Sequence, residues 1–138
     1  MTRRGRIGYL AQEIPVTRPA ERLFAAFSRG LPGTEEEQRA LLLSYGLFRE
    51  CDLHVPLGAL SAGPRRRPGL ARLLARSADL LLLDEPTSHL APGLVERLEE
   101  ALAQWSGALV VVTHDRLLQD RFEGRRREIR AGRVLTGG

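Results

Sequence analysis

A run of four leucines ends in two adjacent carboxylates, Asp84 and Glu85, followed at once by Pro86. A buried apolar strand fixes its last residues in space, so carboxylates placed there can act on a small target. One of them can hold Mg2+ through water, and its neighbour can orient or deprotonate a nucleophilic water. A second apolar run, Ala108 to Thr113, is followed by His114 and Asp115. Taken alone, neighbouring acids at a strand end are more often structural than catalytic. A lone histidine past a strand is more often packed or solvated.

These residues need elements to position them. Asp79 to Asp84 reads as a buried strand, a continuous apolar run with acids at both ends. Ala108 to Thr113 is β-branched and uncharged, a second strand. Arg6 to Leu10 reads as a third. Pro19 is placed to open a helix in which Leu23, Phe24 and Phe27 recur at helical spacing. Thr34 with Glu37 forms a capping box for the next helix. Leu41, Leu42 and Tyr45 give that helix an apolar face, and Gly46 ends it. Residues 51–60 read as irregular. A helix should run from Ser61 to about Arg76 with Leu70, Leu73 and Leu74 inward. Pro92 opens another, lined by Leu94, Leu98, Ala101, Leu102 and Trp105 and stopped by Gly107. A short helix around Leu117 to Phe122 and a hairpin turning at Ala131-Gly132 complete the chain. This order predicts a parallel sheet with helices on its faces. Chemistry in such sheets collects at the C-terminal strand ends, where Asp84, Glu85 and His114 fall.

A length of 138 residues fits one domain, and 43% hydrophobic with 28% charged residues is a globular balance. Net charge is +4, and all 21 basic residues are arginine. That balance suits phosphate-rich partners such as RNA, although a solvated surface is the default reading. Cys51 is the only cysteine, so no disulfide forms within the chain, and a cytoplasmic protein is expected. The leucine run is far shorter than the ~20 residues of a membrane span. MTRRGRIGYL has no long apolar stretch after its arginines, so no signal peptide and no membrane insertion are expected.

The segment LLLLDEPTSHL, Leu80 to Leu90, resembles the Walker B and D-loop region of ABC ATPases. Further matches follow in the same chain order as in that family. Gln12 in GYLAQE resembles the Q-loop glutamine. Leu60-Ser61-Ala62-Gly63-Pro64, followed by Arg65 to Arg67, resembles the LSGGQ signature. His114 in VVTHD is similar to the switch histidine, and Asp115-Arg116 continues that pattern. The resemblance runs from Arg6 to Leu135. Ser88-His89-Leu90 is similar to the NHLD of the ABC-F class, whose members carry two ATPase domains, have no membrane domain and mostly act on ribosomes. The chain resembles the later part of a second ATPase domain of the antibiotic-resistance type.

The resemblance implies an α/β fold, a partial P-loop NTPase domain with a mostly parallel sheet and a helical signature subdomain. Its divisions would be a Q-loop region at 1–15, a helical and signature part at 16–76, and a Walker B, D-loop and switch part at 77–138. It implies ATP and Mg2+ as cofactors, with Asp84 and Gln12 at the metal. Glu85 would activate water, and His114 and Gln12 would sense the γ-phosphate. Ser61, Ala62 and Gly63 would close over ATP held by a partner domain. Free N–H groups at a helix start favour an anion there. A plain Ser61 N-cap fits the same geometry.

Four departures qualify the likeness. No segment reads GxxxxGK[ST], and the chain has no lysine to complete one. That loop supplies most β/γ-phosphate contacts. The chain alone is therefore expected not to bind ATP tightly, and its sheet, lacking the phosphate-loop strand, to expose an apolar edge. Ala62 and Pro64 stand where the signature has Gly and Gln. Pro68 falls inside a predicted helix, where proline costs ~3 kcal/mol. Ala91 stands where the D-loop has Asp. The implied partners are a second ABC ATPase domain or a missing N-terminal half; a structural or ribosome-facing role is open for the arginine run at 65–67, and the run at 125–127 is a solvated strand end or a contact to RNA phosphates. Three readings stay open: the ATPase part of an ABC-F protein, a non-catalytic remnant or docking module, and the ATPase subunit of a membrane transporter.

Overall fold

Three short parallel strands carry the candidate chemistry: β1 (Ile7–Leu10), β2 (Leu80–Asp84) and β3 (Ala108–Val112), side by side in that order. The structure is a computed structural model that describes residues 5–11, 17–60, 62–76 and 78–135. Gln12 and Ser61 lie outside the described residues. Ile7 pairs with Leu80 and Leu80 with Ala108, and the register continues so that Tyr9, Leu82 and Val110 align. Side chains alternate across a strand, so aligned residues share a face.

One face is the core. Leu10, Leu81 and Leu83 are buried there. Leu10 and Leu83 pack with Leu70, Leu98 and Leu102, and Leu109 and Val111 close against them. Gly8 on this face leaves room for α3, since a Cβ would meet Leu81 Cδ2 at 2.7 Å and Leu73 Cδ2 at 3.0 Å. The other face is uncovered. Ile7 and Tyr9 are 63% and 60% exposed, Val110 and Val112 47% and 53%. The expected apolar edge is present, because β3 pairs only with β2 among the described residues. The uncovered area is larger than an edge, extending to the whole outer face of the sheet.

The helices follow their local signals. α1 (Leu23–Ser28) buries Leu23 and Phe27. It does not open at Pro19, which lies in a turn. Arg22 instead bridges to Pro56 and Leu23 N–H donates to Val55 O, delaying the first helical turn. α2 (Glu35–Ser44) opens on the complete capping box of Thr34 and Glu37. Its inward face is Leu42, Leu43 and Tyr45, whereas Leu41 points to solvent. Gly46 ends it with φ +69°. The segment 51–60, expected to be irregular, is largely taken up by two short 3-10 turns, Glu50–His54 and Leu57–Ala59, the first burying Leu53.

α3 (Ala62–Ala75) is the middle layer. Leu70, Leu73 and Leu74 face the sheet, while Ala71 and Ala75 face a second cluster of Leu23, Phe27, Leu42 and Leu53. Tyr45 and Phe48 touch both clusters. α4 (Pro92–Ala103) connects β2 to β3 with Pro92 in its first turn and Leu98 and Leu102 buried. It ends four residues before Gly107, and Trp105 folds back so that Nε1 donates to Ala108 O at 3.4 Å. α5 (Arg116–Arg121) follows β3. β4 (Glu128–Arg130) and β5 (Arg133–Leu135) make the expected hairpin, in which Ala131 and Gly132 both take positive φ, the turn whose twist suits paired strands.

Two stability tests follow from this packing. Pro68 is buried inside a continuous α3 and removes one helical hydrogen bond. Pro68→Ala should raise Tm by roughly 4 °C or more in a thermal melt. Burial pushes the Tyr45 phenol up to about 12 from 10.0. Below pH 10.0 its contribution is complete; above that the unfolded chain ionises first, and the contribution is lost as pH rises toward about 12. Tyr45→Phe should flatten the fall in Tm over that window.

Candidate functional site

The leucine strand β2 delivers its two carboxylates to different surroundings. Asp84 aligns with Val112 on the uncovered sheet face. Its carboxylate makes no hydrogen bond or ion pair among the described residues, so it is open to a cation. Glu85 leaves the strand with φ +48°, a left-handed backbone that a residue with a Cβ adopts only when its neighbours hold it. Three groups do so. Its N–H donates to Val112 O at 2.8 Å. Its carboxylate accepts the His114 N–H at 3.1 Å and pairs with the imidazole Nδ1. Its carbonyl accepts from Arg66 Nη1 at 2.6 Å.

The Glu85 side chain is 14% exposed and that of His114 is 94% exposed. The pair therefore joins a sheltered carboxylate to an imidazole reaching into solvent. The segment 86–90 turns tightly behind it. Ser88 N–H donates to Glu85 O and Leu90 N–H to Thr87 O, both at 3.1 Å, while His89 takes φ +62°. Thr87 is buried, and its hydroxyl donates to Asp115 Oδ2 at 3.1 Å. Asp115 also caps α5, accepting from Leu117 N–H at 2.9 Å and from Leu118 N–H. Thr113 Oγ1 accepts the Asp115 N–H at 3.0 Å. One aspartate thus ties the loop after β2 to the loop after β3.

The structure brings Asp84, Glu85 and His114 to one end of the sheet. Ala62 and Gly63 open α3, whose residue Arg66 reaches the same strand ends. Gln12 and Ser61 cannot be compared, being outside the described residues; Ala11, next to Gln12, lies at this site through its carbonyl, which accepts from Arg66 Nη2 at 3.2 Å. Among the described residues no three His, Cys, Asp or Glu side chains gather as a metal cluster. Asp84 nevertheless suits Mg2+, which binds through one or two carboxylates with water and phosphate oxygens completing its shell.

Sequence reasoning missed Arg66 and the Thr87–Asp115 link. The run Arg65 to Arg67 left a structural or ribosome-facing role open without singling out a residue, and Arg66 is the one that is only 8% exposed. Its burial holds its pKa below the ordinary arginine range, opposed by the charges of Asp84 and Glu85. The Asp115 cap was legible, since Asp before an apolar pair is a helix-start signal.

A parallel α/β sheet with an acid pair and a histidine at its C-terminal strand ends has its polar groups where such sheets bind their ligands. The family model described as ABC transporter matches residues 1–88, and the chain belongs to that ATP-binding family. Similar proteins include the tylosin resistance ATP-binding protein TlrC of Streptomyces fradiae, 49% identical over 133 residues, covering 96% of this chain and 24% of TlrC. The energy-dependent translational throttle protein EttA of Mycobacterium tuberculosis (strain ATCC 25618 / H37Rv) is 52% identical over 65 residues, 47% of this chain and 12% of EttA. A probable ATP-binding cassette sub-family F member 3 homolog of Encephalitozoon cuniculi (strain GB-M1) is 39% identical over 113 residues, 80% of this chain and 19% of that protein. These relatives are of the ABC-F class.

Among solved structures, the dimeric bacterial ABC transporter cassette MJ0796 matches with TM-score 0.58 and 27% identity, over 80% of this chain and 53% of that chain. Its post-hydrolysis state with ADP and Pi matches with TM-score 0.59 and 30% identity, with the same coverage. The chain thus spans about a quarter or less of these curated relatives and about half of the solved cassette.

Asp115→Ala removes a helix cap and leaves the buried Thr87 hydroxyl without an acceptor. It should cost about 1–3 kcal/mol of unfolding free energy in a urea titration.

Proposed function

We propose that the chain is the later half of an ABC-F type ATPase domain, and that it hydrolyses ATP only when a phosphate-loop half completes the site. The observation that carries this reading is the joining of Glu85 to His114 beside an open Asp84, on a sheet whose apolar face is bare. Parallel sheets are buried on both faces. Here one face has its helices and the other has Ile7, Tyr9, Val110 and Val112 in solvent. The solved cassettes are about twice as long as the matched part, which is room for a segment to cover it.

In the assembled domain Glu85 orients the attacking water and takes its proton on a carboxylate oxygen. His114 fixes that carboxylate and presents its imidazole to the γ-phosphate. Asp84, with Gln12, would hold Mg2+, which when bound offsets charge on the phosphate oxygens. Ser61, Ala62 and Gly63 offer the start of α3 to ATP held by a partner domain. The divisions 1–15, 16–76 and 77–138 belong to the same proposal.

For the whole protein the proposal is ribosome protection or translation-linked antibiotic resistance, with ribosomal RNA as partner and the cytoplasm as location; similarity to a tylosin resistance protein and to a translational throttle protein supports the resistance and translation parts. No described helix is long and apolar enough to cross a membrane. The likeness to MJ0796 favours a second reading, the ATPase subunit of a transporter.

The chain alone should show no micromolar affinity for a fluorescent ATP analogue. Joined to an upstream half bearing GxxxxGK[ST], it should turn ATP over, and Glu85→Gln should lower kcat about 100-fold or more while ATP still binds. Micromolar binding by the chain alone, or full turnover by Glu85→Gln, overturns the reading. Stimulation by ribosomes separates the ABC-F protein from a transporter subunit.

A further inference from the structure

Arg66 is one of five arginines on α3 and its neighbouring turn, and it is spent on three main-chain carbonyls and no carboxylate. Nη1 donates to Glu85 O at 2.6 Å; Nη2 donates to Asp84 O and, at 3.2 Å, to Ala11 O. These carbonyls end β2 and β1, where the strands have run past their own ladder. The simplest account is that a buried donor satisfies buried acceptors. Their identity points further. Two belong to the acid pair, and one belongs to the residue beside Gln12.

Glu85 is also the residue with a left-handed backbone. Such a backbone relaxes unless it is held from several sides. Val112 holds its N–H, His114 its carboxylate, and Arg66, together with the Ser88 N–H of the same turn, its carbonyl. Without Arg66 the carbonyl keeps, among the described residues, only the turn bond from Ser88 N–H at 3.1 Å, within its own loop, so the peptide after Glu85 is no longer tied to α3 and the carboxylate loses its aim. The other end of the strap is a helix. Arg66 lies about one turn beyond the Ala62–Gly63 start of α3, so a tilt of that start is carried to the strand ends through a planar, two-pronged group.

We infer that Arg66 is a positioning residue that fixes the aim of the Glu85 carboxylate and couples it to the first turn of α3. This deepens the ATPase reading and rests on it for its catalytic consequence. Lysine cannot replace the fork, because a single ammonium cannot serve carbonyls that diverge from two nitrogens.

Arg72 provides the control. It lies on the same helix, donates to Ala26 O and Arg29 O at the end of α1, and touches nothing at the site. In the domain completed by a phosphate-loop half, Arg66→Lys should lower kcat about 10- to 100-fold with KM for ATP changed less than about twofold. Arg72→Lys should lower Tm and leave kcat in place. Equal kcat for Arg66→Lys and the unsubstituted protein, or equal losses for both variants, overturns the inference.

Hydrogen exchange on the 138-residue chain supplies a readout that needs no turnover. Arg66→Lys should speed exchange across residues 84–90 but not 108–112, and Arg72→Lys should leave both as they are. Uniform loosening in Arg66→Lys, or none, overturns the strap. Absence of turnover in the unsubstituted domain, with the local exchange change present, condemns the ATPase reading and keeps the strap.

Discussion

α3 has two loaded faces, and the rest of the molecule is arranged around that constraint. A helix with one apolar stripe can cover one partner. α3 covers two by using leucines toward the sheet and alanines toward α1. Small residues on the second face let α1 and α2 approach closely, so the helical segment at 17–60 packs on α3 instead of on the sheet. Where apolar contact ends, arginine takes over. Arg72 and Arg76 hold the carbonyls that end α1, and Arg66 holds those that end β1 and β2. The same helix therefore sets the position of the peripheral layer and of the ends of β1 and β2.

The sheet shows what happens where such a partner is missing. Its outer face continues straight into the candidate site, because Leu80, Leu82 and Asp84 alternate outward along β2. Apolar residues of one half-pocket and the open carboxylate share a surface. Whatever covers Val110 and Val112 must also approach Asp84. Burying that face and closing over the Asp84 carboxylate are therefore one event in physical terms.

The sequence was most readable where one residue type has one local use. Thr34 with Glu37, Pro92 in a first turn, and the run Leu80 to Asp84 all behave as their chemistry demands. The order of the motifs from Arg6 to Leu135 identified the family because it combines several such signals. What escaped was set by long-range contact. Leu41 faces solvent because Leu42 wins the slot against α1 and Leu53. The Pro19 turn stays out of α1 because the chain near Val55 captures Leu23 first. Arg66 is buried because strand ends more than fifteen residues away need donors, and no pattern in Arg65 to Arg67 says which of the three will turn inward.

The choice of guanidinium for these joints decides how the fold answers to acidity. A lysine strap would shed its proton when buried, whereas an arginine stays charged over the whole physiological range even when burial lowers its affinity for protons. The strap on the Glu85 carbonyl is therefore deaf to pH. The joint between α3 and the strand ends therefore keeps the same charge and the same donors wherever in that range the protein works.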